Sequence, residues 1–334
     1  MSKTGQGGKN QWATRLHGRG LLKKHGKLID MLTYMRPHLS YTEEQFIDTY
    51  IRPYNHRVDS FGNYVIEVLK ADGGHSSMAF TAHTDTVHKV EGKQQLVLAG
   101  DLVYVDTKKS PDATCLGSDD TTGIYILLSM IDARIPGTYF FFRGEERGGL
   151  GSSYMSKHLG IFLDYSLDLR KMVSFDRKGD GDVITHQSYG RCCSNEFARS
   201  LAADLSEGQY LEYIPDDSGI YTDSAEFVDL IDECTNLSVG YYHEHTNTEM
   251  QDLFHLDGLL TQILKIDWEA LPIGNKEKDE KDDPFYGDGW GNYQDYPQQK
   301  TSANDYDGRM LELLWERYPQ IYDEMDNAVL QEII

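Results

Sequence analysis

The sequence predicts an α/β protein of three layers, α/β/α, with helices on both faces of a central mixed, mostly parallel sheet. Three observations carry this expectation. Short, continuous apolar runs alternate with amphipathic stretches of helical period, the pattern of strands buried on both faces and the helices that cover them. The chain has 334 residues, 39% hydrophobic and 26% charged, enough for one large domain with appendages. Carboxylates and imidazoles recur just after the apolar runs, where open α/β sheets bind their ligands.

The elements follow in order. Residues 1–27 hold seven Lys/Arg and no acid and read as a basic leader. Such an arm either docks on an acidic partner or neighbouring subunit, or is simply solvated. Folded structure is expected from Leu28, because Leu28, Ile29, Leu32 and Met35 keep helical spacing until Pro37. Ser40 with Glu43 reads as a capping box ahead of the stripe Phe46, Ile47, Tyr50 and Ile51, which Pro53 ends. Residues 58–68 read as two strands around a turn at 59–63. Strands are then expected at 78–82, 138–142, 172–175 and 236–240. Helices are expected at 123–131, 197–205 and, as one long closing element, 253–271. The main domain is thus placed at 28–272. Residues 273–307, rich in Asp, Lys, Gly, Gln and Tyr, read as an acidic linker or strap. Residues 308–334 regain helical period through Leu311, Leu314, Trp315 and Tyr318, a segment suited to docking on the domain or on another copy.

Composition excludes several functions. A net charge of −22 disfavours a general nucleic-acid binder. No run of 18 apolar residues suits a membrane span, and the N-terminus lacks the apolar stretch of a secretory signal. Four cysteines without a C-x-x-C pair make neither a disulfide framework nor a thiolate zinc site, so a cytoplasmic, reducing setting is expected. The G-x-S-x-G elbow, the phosphate-binding G-x-x-x-x-G-K-[ST] loop and the H-E-x-x-H zinc motif are all absent.

The chemistry lies at the strand exits. His83-Thr84-Asp85 follows the strand at 78–82, and Asp119-Asp120 precedes the helix at 123–131. Glu145-Glu146 follows the 138–142 strand, Asp176 the 172–175 strand, and His243-Glu244-His245 the 236–240 strand. Each signal alone has a plain reading: an acidic pair is usually a solvated surface, and an Asp ahead of a helix is usually a cap. Together they would converge on one edge of the sheet, where uncompensated carboxylates are costly. Divalent cations remove that conflict, and imidazole plus carboxylate without thiolate suits zinc, manganese or cobalt.

These motifs, His83-x-Asp85, Gly117-Ser118-Asp119-Asp120-x-x-Gly123, Glu145-Glu146 followed by Gly148, Asp176, and His245-Thr246-x-x-Glu249, resemble the di-metal peptidases and amidohydrolases of the phosphorylase-like α/β fold. Peptidase T, glutamate carboxypeptidase and the bacterial leucyl aminopeptidases belong to that clan. The resemblance covers roughly residues 28–272 and implies two divalent ions, typically zinc. It implies that Asp119 bridges them, that His83 and Asp176 complete the ligands of one ion, and that Glu146 and His245 complete those of the other. Glu145 would be the general base, and Asp85 would hydrogen-bond the His83 imidazole to fix its tautomer. The implied activity is hydrolysis of amide bonds, most simply an aminopeptidase-like exopeptidase acting on short peptides. An N-acyl-amino-acid amidase, a carboxypeptidase-type hydrolase and a metal-binding scaffold without activity are the alternatives. Asp176 and His245 lie only 69 positions apart, which leaves little room for the lid domain that dimerising clan members insert there. Asp223 is the candidate to hold a substrate amine, Arg191, with Arg143 and Arg147, a substrate carboxylate, and His243 a further substrate contact. Self-association through the basic leader or the C-terminal helices is the other partnership open to the chain.

Overall fold

The computed structural model describes residues 20–188, 190–207 and 211–282. The leader before Gly20, the strap beyond Asp282 and the helical segment expected at 308–334 lie outside the described residues.

Setting aside two-residue bridges, the strands of the main sheet are β1 (His56–Val58), β2 (Tyr64–Val68) and β3 (Met78–His83). A hairpin of β4 (Leu96–Ala99) and β5 (Leu102–Val105) intervenes before β6 (Gly137–Phe142), β7 (Lys171–Arg177), β8 (Asp182–Ile184), β9 (Ile214–Asp216) and β10 (Glu233–Ser238). β11 (Tyr241–Tyr242) and β12 (Met250–Asp252) complete the set. The helices are α1 (Gly26–Met31), α2 (Tyr41–Tyr50), α3 (Ser118–Asp132), α4 (Leu150–Phe162), α5 (Asn195–Leu205) and α6 (Leu253–Ile263).

Eight strands form the main sheet in the order β9-β8-β10-β7-β3-β6-β2-β1. The four in the middle, β10, β7, β3 and β6, run parallel. β2 and β1 extend the sheet antiparallel on one side, and β8 pairs antiparallel with β10 on the other. This is the mixed, mostly parallel sheet the sequence predicts. Its parallel centre delivers the carboxyl ends of β3, β6 and β7 to one edge. Every residue of β3 and β6 is buried, as expected of strands covered on both faces. Phe80 of β3 is the hub of the core, fully buried with ring centroids 5.1 Å from Tyr139, 6.2 Å from Phe175 and 5.0 Å from Trp268.

The structure departs from the expected elements at several points. Order begins before Leu28: Leu21 is buried, and the buried His25 ring contacts the Tyr125 hydroxyl at 2.9 Å and Asp257 at 3.0 Å. The first helix stops at Met31, and Tyr34–Met35 pairs instead with Gly92–Lys93. α3 is buried on more than the predicted face, because it lies across β3 and β7 while α1 packs on it; Ile126 and Met130 are inaccessible too. The long closing helix ends at Ile263, and the chain turns so that Trp268 can reach Phe80. The start of the acidic strap, 276–282, is helical, and Asp279 accepts the Asn195 amide at 2.7 Å. The sequence analysis missed α4 and a second, four-stranded antiparallel sheet in the order β11-β12-β5-β4. The Gly100-Asp101 turn between two continuous apolar runs was the available signal.

Phe80→Ala removes the ring on which three aromatic residues converge, so a loss of about 3–5 kcal/mol is expected in urea unfolding; a loss below about 1 kcal/mol would show that the core is organised elsewhere.

Candidate metal centre

Each motif residue is brought to the edge by its own element. His83 is the last residue of β3 and is 1% exposed. Its Nδ1 lies 3.0 Å from the main-chain carbonyl of Asp85, which leaves Nε2 to face the carboxylates. Nε2 is 2.9 Å from Asp119 Oδ1 and 3.6 Å from Asp176 Oδ1. The other oxygen of Asp119, Oδ2, lies 3.1 Å from His245 Nε2, and the same nitrogen is 3.1 Å from Glu146 Oε1. The Asp119 carboxylate therefore stands between two triads, His83–Asp119–Asp176 and Asp119–Glu146–His245, each compact enough to hold a metal ion. His83, Glu145 and Glu146 form a third overlapping group. The five predicted ligands meet at one place, although they come from five separate stretches of chain.

Second contacts fix them. Glu249, fully buried at the end of the last motif, accepts the Gly117 amide at 2.8 Å and the Asp119 amide at 3.1 Å, clamping the loop that presents Asp119. Asp120 accepts the amides of His83 at 3.1 Å and Gly123 at 2.9 Å, tying α3 to the end of β3. A β-carbon on Gly123 would sit 2.4 Å from Asp120 and 2.6 Å from the Phe175 carbonyl, so only glycine allows this approach. Asp176 takes hydrogen bonds from Thr222 at 2.7 Å and Tyr241 at 3.2 Å, and its own peptide is gripped on both sides by the Asn236 amide group. The sequence analysis assigned no role to Glu249, Asp120, Asn236, Thr222 or Tyr241. Only Glu249 and Asp120 fell within its motifs.

One predicted contact is corrected. The Asp85 carboxylate is not hydrogen-bonded to the imidazole; its Oδ1 is 3.7 Å from His83 Nδ1. It instead accepts the amides of Gly144 at 2.8 Å and Glu145 at 3.2 Å. Two main-chain donors at the tight turn after β6 claim the carboxylate, and the carbonyl of the same residue takes the ring.

The substrate candidates fare unevenly. A cleft of about 240 Å³ opens beside Asp119, Glu145, Asp176 and His245, walled by Ile184, Gln187, Ile220 and Tyr221. Arg191 and His243 are not among its lining residues; Arg191 reaches Asn195 Oδ1 at 3.1 Å. Arg143 is held by Glu43 at 2.9 Å and Glu44 at 2.7 Å. Asp223 is 1% exposed and lies off the cleft wall, near enough to Glu145 for its charge to help push that carboxyl upward. His88 is buried, bonded to Thr86, Gln94 and the Cys115 carbonyl, and pushed down to about 4 by burial. All four cysteines are buried free thiols.

The electrostatics follow from crowding. Burial and the neighbouring Asp176, Asp223 and Asp119 raise Glu145 well above its ordinary range, against the pull of His83. Burial and Asp119 raise Glu146. Burial would raise Asp119 too, but hydrogen bonds from His245 and His83 outweigh it and hold the carboxyl low. His83, which burial would lower, is held well above 6.5 by Asp176 and Asp119. In the chain by itself, imidazolium ions and protons thus supply the positive charge this carboxylate cluster requires. The donor set is that of a borderline divalent cation, with nitrogen and oxygen ligands and no sulfur.

No family model matches the chain, and no curated protein matches it by sequence. Solved structures do match. Aminopeptidase PepT from Bacillus cereus aligns over 74% of this chain and 97% of its own, with a TM-score of 0.58 at 12% identity. A tripeptidase from Staphylococcus aureus aligns over 74% and 97%, with a TM-score of 0.57 at 14% identity. The TET1 peptidase of Pyrococcus horikoshii aligns over 71% and 98%, with a TM-score of 0.53 at 17% identity. The chain therefore has the α/β fold of these peptidases. Among the described residues no helix is long and apolar enough to cross a membrane.

The crowding couples stability to pH. Glu249, ordinarily 4.5, is pushed up to about 8 by burial, with Asp119 adding. The folded chain keeps that proton where the unfolded chain has released it, so stability falls as the pH rises between these values. His245 is held at about 11 rather than 6.5 by Asp119 and Glu146. Its contribution is complete below the lower value and is lost as the pH climbs through the upper one. The melting temperature of the ion-free protein should thus fall from about pH 5 to about pH 9, with His245→Gln flattening the alkaline half. A rise over that interval would contradict the assignment.

Proposed function

We propose that the protein is a two-metal hydrolase of amide bonds, an aminopeptidase-like exopeptidase acting on short peptides. The observation that carries this reading is the Asp119 carboxylate, whose two oxygens face imidazoles belonging to different triads. Asp119 would be shared by two ions, with His83 and Asp176 available to hold one and Glu146 and His245 the other. Two divalent ions per chain, zinc by preference and manganese or cobalt as substitutes, supply Lewis acidity toward the scissile carbonyl and acidify an attacking water.

The chain's own residues do the rest. Glu145 carries no ligand role; its carboxylate lines the cleft and is the base that takes a proton from water and returns it to the departing amine. Asp85, through the Gly144 and Glu145 amides, sets the direction of that base. Tyr241 and Thr222 hold Asp176 against rotation. Support for an aminopeptidase over a carboxypeptidase comes from two guanidinium groups that are already engaged: Arg143 by Glu43 and Glu44, and the cleft-lining Arg177 by Asp182 at 3.0 Å. A reducing, cytoplasmic setting suits four buried free thiols. The Pyrococcus horikoshii TET1 peptidase can assemble into a tetrahedron or a large octahedral shell; self-association of this chain through its leader or C-terminal helices is a parallel expectation.

The test is to count metal per chain and assay amino-acid amides beside N-acyl amino acids, with and without chelator. About two ions per chain are expected, together with chelator-sensitive hydrolysis of the amides. Glu145→Gln should lower kcat by about 10²–10⁴-fold with metal content retained. Undiminished turnover in that variant, or in the chelated protein, would overturn the proposal.

A further inference from the structure

Behind the Glu145 turn lies a polar group of which the reaction as proposed uses only one carboxylate oxygen of Asp85. Asp85 is fully buried and spends Oδ1 on the Gly144 and Glu145 amides, while its Oδ2 is buried without a hydrogen-bond partner. In the same group His38 Nδ1 and both terminal nitrogens of Arg36 are also buried without a partner. The His38 ring lies against the turn itself: a β-carbon on Gly144 would come within 2.9 Å of it, and Gly144 has a φ of +74°. His38, Glu43 and Asp85 each offer an atom within 4.8 Å of the others, an arrangement that resembles another cation site.

Charge argues against a cation there. Arg143 binds Glu43 through two nitrogens, at 2.9 and 3.3 Å. Arg36, completely buried, donates from Nε to the Thr84 carbonyl at 2.8 Å and stacks 3.9 Å from the Phe46 ring. Burial pushes its guanidinium down to about 10, against Glu43, Asp85 and Asp120, so it stays charged at neutral pH. Two guanidinium ions thus already balance the carboxylates of Glu43 and Asp85, and a divalent ion would add uncompensated positive charge in a buried site. What this group lacks is hydrogen bonds. Buried donors and acceptors left unmatched side by side are normally joined to one another or through water.

We propose that His38 is a positioning residue for the Glu145 turn. Its Nδ1–H donates to Asp85 Oδ2 and so holds the carboxylate whose other oxygen pins the Gly144 and Glu145 amides. The consequence for catalysis rests on the proposed role of Glu145; the consequence for the turn does not.

Two variants separate the possibilities. His38→Ala removes the donor, and His38→Asn returns an N–H near the Nδ1 position. Hydrogen exchange of the Gly144 and Glu145 amides should quicken by about 10-fold in His38→Ala, the weight of one hydrogen bond, with distant amides unchanged. It should return toward the original rate in His38→Asn. In the metal-loaded enzyme kcat should fall by about 10-fold or more in His38→Ala while KM and metal content hold, with recovery in His38→Asn. Unchanged exchange in His38→Ala, or equal damage in both variants, would overturn the proposal, and loss of one bound ion would establish the cation site instead. If Glu145 proves not to be the base, the kinetic arm falls with that reading, and the exchange of these two amides still decides the role of His38.

Discussion

The constraint on which the site depends is the repulsion among carboxylates gathered at the ends of parallel strands. Asp119, Glu145, Glu146 and Asp176 share a space with only two imidazoles. Burying that much negative charge is unfavourable unless cations are present, and the chain offers two routes to them. In the chain alone, His83 and His245 hold protons far above their usual range. A divalent ion held there would have to displace those protons, so protons and metal would compete for the same oxygens and nitrogens.

The cross-linking around the site comes both from the second sheet and from a central strand. Glu249 reaches back from the loop before β12 to fix the Asp119 loop, and Asn236 of β10 grips Asp176 of β7. The second sheet exists, in functional terms, to carry the last motif: β12 pairs with β5 and β11, and this places Glu249 and the His245 loop over the edge of the main sheet. His245 is the exception to the general burial. Its side chain is 49% exposed and its backbone has a φ of +65°, so of the five ligands it is the one held least by packing and most by its charged neighbours.

The site was legible in the sequence because its chemistry is local. A strand that ends in His83, a turn that holds Glu145-Glu146 and a helix preceded by Asp119 each announce themselves within a few residues. The parallel centre of the sheet then brings them together whatever the remaining details. What was not legible depended on distant partners. Nothing near Asn236 or Thr222 reveals that they grip Asp176, and nothing near His88 tells that the Cys115 carbonyl will meet its ring. The closing helix was overextended for the same reason: its periodicity continues past Ile263, but the pull of Phe80 on Trp268 requires a turn. The engagement of Arg143 by Glu43 and Glu44 is likewise a long-range fact that composition cannot disclose.

Asp85 shows how one residue can satisfy two demands that sequence spacing assigns to one. Two positions beyond a ligating histidine, its carboxylate was expected on the imidazole. The ring needs only one acceptor to settle its tautomer, and the Asp85 carbonyl at 3.0 Å supplies it. The carboxylate is then released for the turn after β6, where two adjacent amides would otherwise lie close to the carboxylate cluster with no acceptor. A single residue thereby fixes which nitrogen of His83 faces the centre and which way Glu145 points. Coupling the two through Asp85 ties the position of Glu145 to the same strand end that presents His83.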